Sequence, residues 1–307
     1  MDRGDGYKGT PEFSIVCPIK DEVNLIPFTL PSFYSVNPSE VILCLDKPAP
    51  QNVVETIRKV AKACDAENIT RIIEVERNPE YKFHQAWVRR KGFLEAKNDK
   101  ILTTDIDLII NRNVLKAVNL VGKNNIGLVS CYKFRMPRSF VGLWRTGGRH
   151  FLRMLYVILM KRYPKNKRGL RMSLFTGLYA LYRPFWLETE DEGIKILINP
   201  KQPIREGKTP IHPKFRGICL GEDTYLRNCM EKKYRVVYLP CIGARVLSDP
   251  LHDHPAVQYW VGRYNARIAR SYLGAVIHVV MHLHFNYFRG FVAERKIMKK
   301  ALHYEFA

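Results

Sequence analysis

Three of the first four apolar runs in this chain close on carboxylates, and that pattern restricts the fold more than any other feature. Phe13 to Pro18 is followed by Asp21 and Glu22, Val41 to Leu45 by Asp46, and Lys100 to Thr103 by the triplet Asp105-Ile106-Asp107. The remaining run is Arg71 to Val75. Short apolar runs closed by proline or acid read as strands buried on both faces. The segments between them have helical spacing. One runs to Tyr34 between Pro27 and Pro38. A second, Asn52 to Asp65, places Val53, Val54, Ile57, Val60, Ala61 and Cys64 on one face, with Gln51 or Asn52 as its cap. A third covers Phe83 to Lys97. Strands alternating with helices predict an α/β fold with a mainly parallel sheet flanked by helices. Such sheets bind ligands beyond the carboxyl ends of their strands, so the acidic sites are expected on one edge.

An unpaired buried carboxylate is costly, and a divalent cation is an economical partner for two of them. Carboxylate pairs suit hard ions such as Mn²⁺ or Mg²⁺, which also carry substrate phosphates. Asp-x-Asp alone reads better as a turn at a strand end, where Asp is common. Acids recurring at neighbouring strand ends favour the ligand reading, with Asp105 and Asp107 as metal candidates.

With 307 residues and 46% apolar content, the chain can bury one large domain with an appendage, or two domains. Residues 1–12 are polar and Gly-rich and read as a loose tail, 13–248 as the catalytic α/β domain, and 249–307 as a basic, aromatic helical segment. Within 106–248 the spacing predicts a short helix over Asn113 to Val121, a strand over Ile126 to Tyr132, a basic loop from Arg135 to Arg149 and a buried or interfacial helix over Phe151 to Met160. It then predicts a strand in Leu174 to Phe185, a basic loop over Pro200 to Arg216, a helix over Thr224 to Lys232 after Gly221-Glu222-Asp223, and a strand over Val236 to Leu239. Lys161 to Arg171 is basic and holds no acid; a solvated loop and an anion-binding patch both fit it.

Lys and Arg number 50 against 29 Asp and Glu, a net charge of +21, which implies an anionic partner: nucleic acid, anionic lipid or a phosphorylated substrate. The seven cysteines are scattered without a C-x-x-C, which argues for a reducing compartment and thiols packed as small hydrophobes. No targeting segment and no run of 18 apolar residues is evident, so a cytoplasmic protein, peripheral on the inner face of a membrane, is expected. Membrane contact is read from the region after Pro250. There Arg263, Arg267 and Arg270 share a helical face beside Trp260 and Tyr264, and Leu273 to Phe291 is apolar and aromatic. A helical pair packed on the domain is the other reading. His278, His282 and His284 mimic zinc spacing, but no cysteine or acid completes a site, so a packed or interfacial helix is preferred.

The order of these motifs resembles glycosyltransferase family 2, the nucleotide-sugar transferases of the GT-A fold. The resemblance rests on Pro18 with Asp21-Glu22, Asp46, Arg89-x-x-Gly92, Asp105-x-Asp107, Gly177 and Glu222-Asp223, and covers roughly Phe13 to Ser248. It implies an inverting, metal-dependent hexosyltransferase with Asp223 as general base and Glu222 orienting the loop or touching the acceptor. It further implies donor-nucleotide contacts from Pro18, Asp21 or Glu22, Asp46, Arg89 and Asp105, and an acceptor region near Gly177, Trp260 and Arg263. His252 or His254 becomes a candidate third metal ligand, although a loop histidine pair around a capping Asp253 fits as well. The implied partners are a UDP- or GDP-linked sugar, a lipid or lipid-linked acceptor and an anionic membrane surface, with no nucleic acid. Two departures stand out: Asp46-Lys47-Pro48 replaces the family's Asp-Asp-Gly-Ser, and Asp21-Glu22 replaces Asn-Glu.

Other readings fit less of the chain. The same chemistry could serve a soluble or protein acceptor. A sugar nucleotidyltransferase would need a Gly-rich basic loop after the first strand, and Pro18-Ile19-Lys20-Asp21 is not one. A nucleic-acid binder would leave the strand-end carboxylates without a role.

Overall fold

The computed structural model describes residues 11–135, 177–196, 222–247, 272–282 and 285–305, with 159, 259 and 266 singly. Its centre is an eight-stranded sheet in the order β3-β2-β1-β4-β7-β6-β8-β5. The strands are β1 (Ser14–Ile19), β2 (Glu40–Asp46), β3 (Thr70–Val75), β4 (Lys100–Thr104), β5 (Leu108–Ile110), β6 (Ile126–Arg135), β7 (Leu178–Tyr182) and β8 (Arg235–Val246). The first four are parallel, with Ile19 beside Leu45 and Val16 beside Thr103, so their carboxyl ends form one edge. β7 enters antiparallel between β4 and β6, β6 runs parallel to β8, and β5 pairs antiparallel with the end of β8.

Helices cover both faces. On one lie α1 (Ile26–Tyr34), α2 (Gln51–Ala63) and α4 (Val114–Leu120), packed through Leu30, Phe33, Ile57 and Val118 against Ile15, Leu43 and Val129. On the other lie α3 (His84–Glu95), α5 (Arg183–Thr189) and α6 (Glu222–Met230), which bring Phe93, Trp186, Leu226 and Met230 onto Val16, Ile42 and Leu128. Apolar runs buried from two sides explain why β1 and β2 lack the polar alternation of a half-exposed strand. At the edge opposite the carboxyl ends, the carboxylate of Glu40 is fully engaged: it accepts from the Ser14 hydroxyl at 2.8 Å, the Lys97 N–H at 3.0 Å and Arg71 at 2.5 Å.

Local readings shift in four places. α2 starts after Pro50 with no side-chain cap; Asn52 instead accepts the N–H of its neighbour Val53 at 3.0 Å. The run 174–185 holds the strand β7 and then turns helical at Arg183, because Pro184 in the first turn has its φ preset for a helix and needs no donor there. α6 begins at Glu222, so Glu222 and Asp223 stand inside its first turn rather than before it. β8 runs well past Leu239, through a bulge that skips Pro240 and Cys241 in the pairing with β6.

Beyond the sheet, α7 (Tyr272–His282) and α8 (Phe285–Glu305) pack through Ala275, Tyr287 and Phe291, together with Ala266. Gly290 makes close approach possible, since a Cβ there would sit 1.8 Å from the Tyr259 carbonyl oxygen. Among the described residues no helix is long and apolar enough to cross a membrane. Apart from Arg135, which ends β6, and Leu159, the predicted segments 135–149, 151–160, 161–171 and 200–216 fall outside the described residues, as does most of 257–271.

Candidate active site at the carboxyl edge of the sheet

Arg89 is the hub. Gly92, one turn further along α3, lets the helix press onto the sheet: a Cβ there would lie 2.4 Å from Val16 Cγ1 and 2.6 Å from Cys44 Sγ. That approach carries the Arg89 guanidinium, 1% exposed, under the end of β4. Nη1 donates to Thr103 Oγ1 at 2.7 Å and Nη2 to Asp105 Oδ1 at 2.7 Å, while Glu222 Oε1 stands 3.6 Å from Nη2. Burial alone would make the guanidinium easier to deprotonate, but Asp105, Asp223 and Glu222 more than compensate and hold it charged.

Glu222 and Asp223 arrive from the other side of the pocket at the start of α6. The Gly177 N–H donates to Asp223 Oδ2 at 2.9 Å, whereas Asp223 Oδ1 is buried without a hydrogen-bond partner among the described residues. Gly177 has φ +69°, and a Cβ on it would fall 1.7 Å from Asp105 Oδ2. Only glycine satisfies both requirements at once. Burial, and next the charge of Asp223, push the Glu222 carboxyl up to about 7, with Arg89 pulling the other way. One guanidinium therefore faces three carboxylates, an excess of negative charge that favours a further cation.

The Asp105–Asp107 segment is a tight turn. Asp105 O accepts the Leu108 N–H at 3.1 Å, and Asp107 O accepts the Leu247 N–H at the end of β8 at 2.8 Å. Both side chains are half-buried, and their hard oxygens suit Mn²⁺ or Mg²⁺. No group of three or more metal-binding side chains occurs among the described residues. His252, His254, Trp260 and Arg263 lie outside the described residues.

The nucleoside candidates occupy the neighbouring strand ends. Asp46 closes β2, and its Oδ1 lies 3.2 Å from His84 Nε2 at the start of α3. Glu22 turns its carboxylate back on its own loop, accepting from the Lys20 N–H at 2.9 Å and the Asp21 N–H at 3.2 Å, and leaves Asp21 exposed. Pro18, half-buried, pairs in register with Cys44. Arg89, Asp105, Gly177, Glu222 and Asp223 are thus one cluster, with Asp46 and Asp21 two strands and one strand away along the edge. Sequence reading missed His84 and Thr103. Thr103 could have been found from strand alternation, which sets it two residues before Asp105; nothing local marks His84.

No protein-family model matches the sequence, and no curated protein matches it. Solved structures do. The mannosyltransferase PcManGT from Pyrobaculum calidifontis, in complex with GDP-Man and Mn²⁺, is 17% identical and matches over 96% of this chain and 76% of its own, with a TM-score of 0.50. This chain has a GT-A-like fold. S. aureus TarS 1–349 matches at 14% identity over 90% of this chain and 70% of its own, TM-score 0.47. A mycobacterial protein matches at 14% over 84% and 73%, TM-score 0.46. Neither of these two superposes well enough to add to the argument. In the GT-A-like arrangement the cluster around Arg89 lies at the carboxyl ends of the parallel strands, the edge where open α/β sheets take their ligands.

Proposed function

We propose that the protein is an inverting glycosyltransferase that moves a sugar from a UDP- or GDP-linked donor to a hydroxyl or phosphate acceptor. The observation that carries the reading is Asp223: one oxygen is fixed by the Gly177 N–H and the other is buried without a partner among the described residues. A carboxylate held this way can accept the proton of an attacking hydroxyl as the new bond forms. A base separate from the departing group fits attack from the opposite face and inversion at the sugar carbon. Glu222 orients the acceptor beside it. Arg89 keeps Asp105 in place and presents positive charge beneath the donor.

The Asp-x-Asp turn fits a divalent cation by donor chemistry, with Asp107 as the principal ligand and Asp105 sharing its carboxylate with Arg89. A cation bound there would supply Lewis-acid stabilisation to the leaving diphosphate. PcManGT, in complex with GDP-Man and Mn²⁺, supports both the donor class and the metal. His252 or His254 is the proposed third ligand. Asp46 with His84, Asp21, Glu22 and Pro18 form the nucleoside end of the edge, and Gly177, Trp260 and Arg263 the acceptor side.

The acceptor is a lipid or lipid-linked sugar, approached from the inner face of a membrane. Leu273, Val276 and Val280, three and four residues apart on α7, form an exposed apolar stripe, and Phe285, Arg289 and Lys296 are exposed on α8. Residues 13–248 are the catalytic unit and 249–307 the membrane-facing one.

The test is nucleoside diphosphate release from a panel of UDP- and GDP-sugars, with vesicles containing anionic phosphatidylglycerol. Wild-type protein turns over one donor class; Asp223→Asn lowers turnover at least about 10²-fold with unchanged nucleotide affinity. Retained turnover in that variant removes Asp223 as the base. Replacing Leu273 and Val280 by Ser weakens vesicle co-sedimentation; equal binding sinks the lipid part while leaving the transfer chemistry standing.

A further inference from the structure

The bulge in β8 has a chemical consequence away from the Arg89 cluster. Cys131 on β6 pairs with Leu239 and Tyr132 with Ile242, so Cys241 is one of two residues left out of the ladder. Its thiol faces Cys131, with the two sulfurs 3.8 Å apart. The strands can come this close because of Gly243, where a Cβ would fall 2.6 Å from Cys131 Cβ. Cys131 is buried, whereas Cys241 is partly exposed. The hydrogen bond with Cys131 holds the Cys241 thiol below its usual range against the effect of its burial, and the Lys116 ammonium adds to the lowering; the same bond and burial raise Cys131. One accessible, acidified thiol beside a buried partner is the arrangement of an attacking and a resolving cysteine. By contrast Cys17 and Cys44 belong to opposite faces of the sheet.

The bulge is also tied to the Asp-x-Asp turn. Ile242 O accepts the side-chain amides of Asn111 at 3.1 Å and Asn113 at 2.9 Å, and Gly243 O accepts the Asn111 N–H at 2.9 Å. Four residues further on, the Leu247 N–H holds Asp107 O at 2.8 Å. A disulfide needs its sulfurs about 2.05 Å apart, so the pair must close by about 1.8 Å from the observed 3.8 Å. The unpaired bulge residues can take up that motion, because they contribute no ladder bond that must break.

We propose that Cys131 and Cys241 are a redox-sensitive pair that peroxide converts to a disulfide, and that closing it shifts the β8 segment holding the Asp107 turn. The Cys241 thiolate attacks one oxygen of hydrogen peroxide; the O–O bond breaks, hydroxide leaves and takes up a proton, and Cys241 becomes a sulfenic acid. The Cys131 sulfur then attacks the Cys241 sulfur, losing its proton as the S–O bond breaks and water departs. Overall two thiols and one peroxide give one disulfide and two waters.

The test uses the full chain, reduced, then treated with hydrogen peroxide, alkylated and mapped by peptide mass spectrometry, with amide hydrogen exchange measured on both forms. The expected product is one peptide pair joined through Cys131 and Cys241, two hydrogens lighter and reversed by dithiothreitol. Exchange at residues 105–111 and 242–247 should differ between the oxidised and reduced forms. Cys241→Ser should abolish both changes. Oxidation of Cys241 to sulfinic acid without cross-linking, or cross-linking through another cysteine, overturns the pairing; a disulfide with unchanged exchange at the turn overturns the coupling. No readout depends on sugar transfer, so failure here is separate from failure of the proposed function.

Discussion

Gly177→Ala should damage this protein more than any other single methyl group added at the site. Gly177 has φ +69°, a left-handed conformation that costs an L residue about 1–2 kcal/mol. The new Cβ would also lie 1.7 Å from Asp105 Oδ2. A flexible carboxylate could ordinarily swing aside, but Asp105 Oδ1 is held by Arg89 Nη2 at 2.7 Å. Opening the contact therefore breaks or bends a charge-assisted hydrogen bond of about 1.5–3 kcal/mol. The two effects together come to about 2.5–5 kcal/mol. Urea unfolding of wild type, Gly177→Ala, Asp105→Ala and the double variant forms a cycle that separates them. With the Asp105 side chain truncated, the alanine should cost only the backbone part, leaving a coupling of about 1.5–3 kcal/mol between the sites. Additive effects in the cycle, or a Gly177→Ala protein within about 0.5 kcal/mol of wild type, would refute the close approach on which the site geometry depends.

Two further perturbations follow from the same cluster. Glu222 titrates near 7 in the folded protein against an ordinary 4.5, so the folded state holds its proton more tightly than the unfolded chain does. Stability from this group is complete below pH 4.5 and is lost as pH rises through 7, by up to about 3 kcal/mol in all. Glu222→Gln, measured in EDTA by urea unfolding at pH 5, 7 and 9, should flatten that decline; an unchanged slope would mean that Glu222 is ionised throughout. Gly92→Ala drives a methyl into Val16 and Cys44 at 2.4 and 2.6 Å and should destabilise by about 1–3 kcal/mol, with a weakened Arg89–Asp105 contact. A neutral result in thermal unfolding would show that α3 has room to move.

The parallel half of the sheet was readable because its strands are buried on both faces and therefore apolar without alternation, and because acids interrupt them where they emerge. In the other half β6, β7 and β8 were legible as strands, but their arrangement was not. The insertion of β7 between β4 and β6, and the pairing of β5 with β8, depend on contacts more than 45 residues apart, which no local pattern encodes. The site divides the same way. Asp105 and Asp107 were conspicuous as acids closing an apolar run, whereas Glu222 and Asp223, which locally read as the start of a helix, were marked only by the family resemblance. What binds them into a unit is a buried arginine on α3 and two glycines whose missing side chains set the spacing, and that fit exists only once helix and sheet meet. His84 became relevant only when α3 started beside Asp46, a juxtaposition of residues 38 positions apart in the chain.

The central claim is that the carboxyl edge binds a nucleoside diphosphate through a cation at the Asp-x-Asp turn. Calorimetric titration of UDP and GDP into wild type and Asp107→Asn, each in Mn²⁺ and in EDTA, tests it most directly. One nucleotide should bind wild type in Mn²⁺, with binding lost in EDTA and weakened about tenfold or more in the variant, equivalent to at least about 1.4 kcal/mol. Binding that is indifferent to both metal and Asp107, or no binding of either nucleotide in Mn²⁺, would contradict the account and leave Asp105-Ile106-Asp107 as a structural turn.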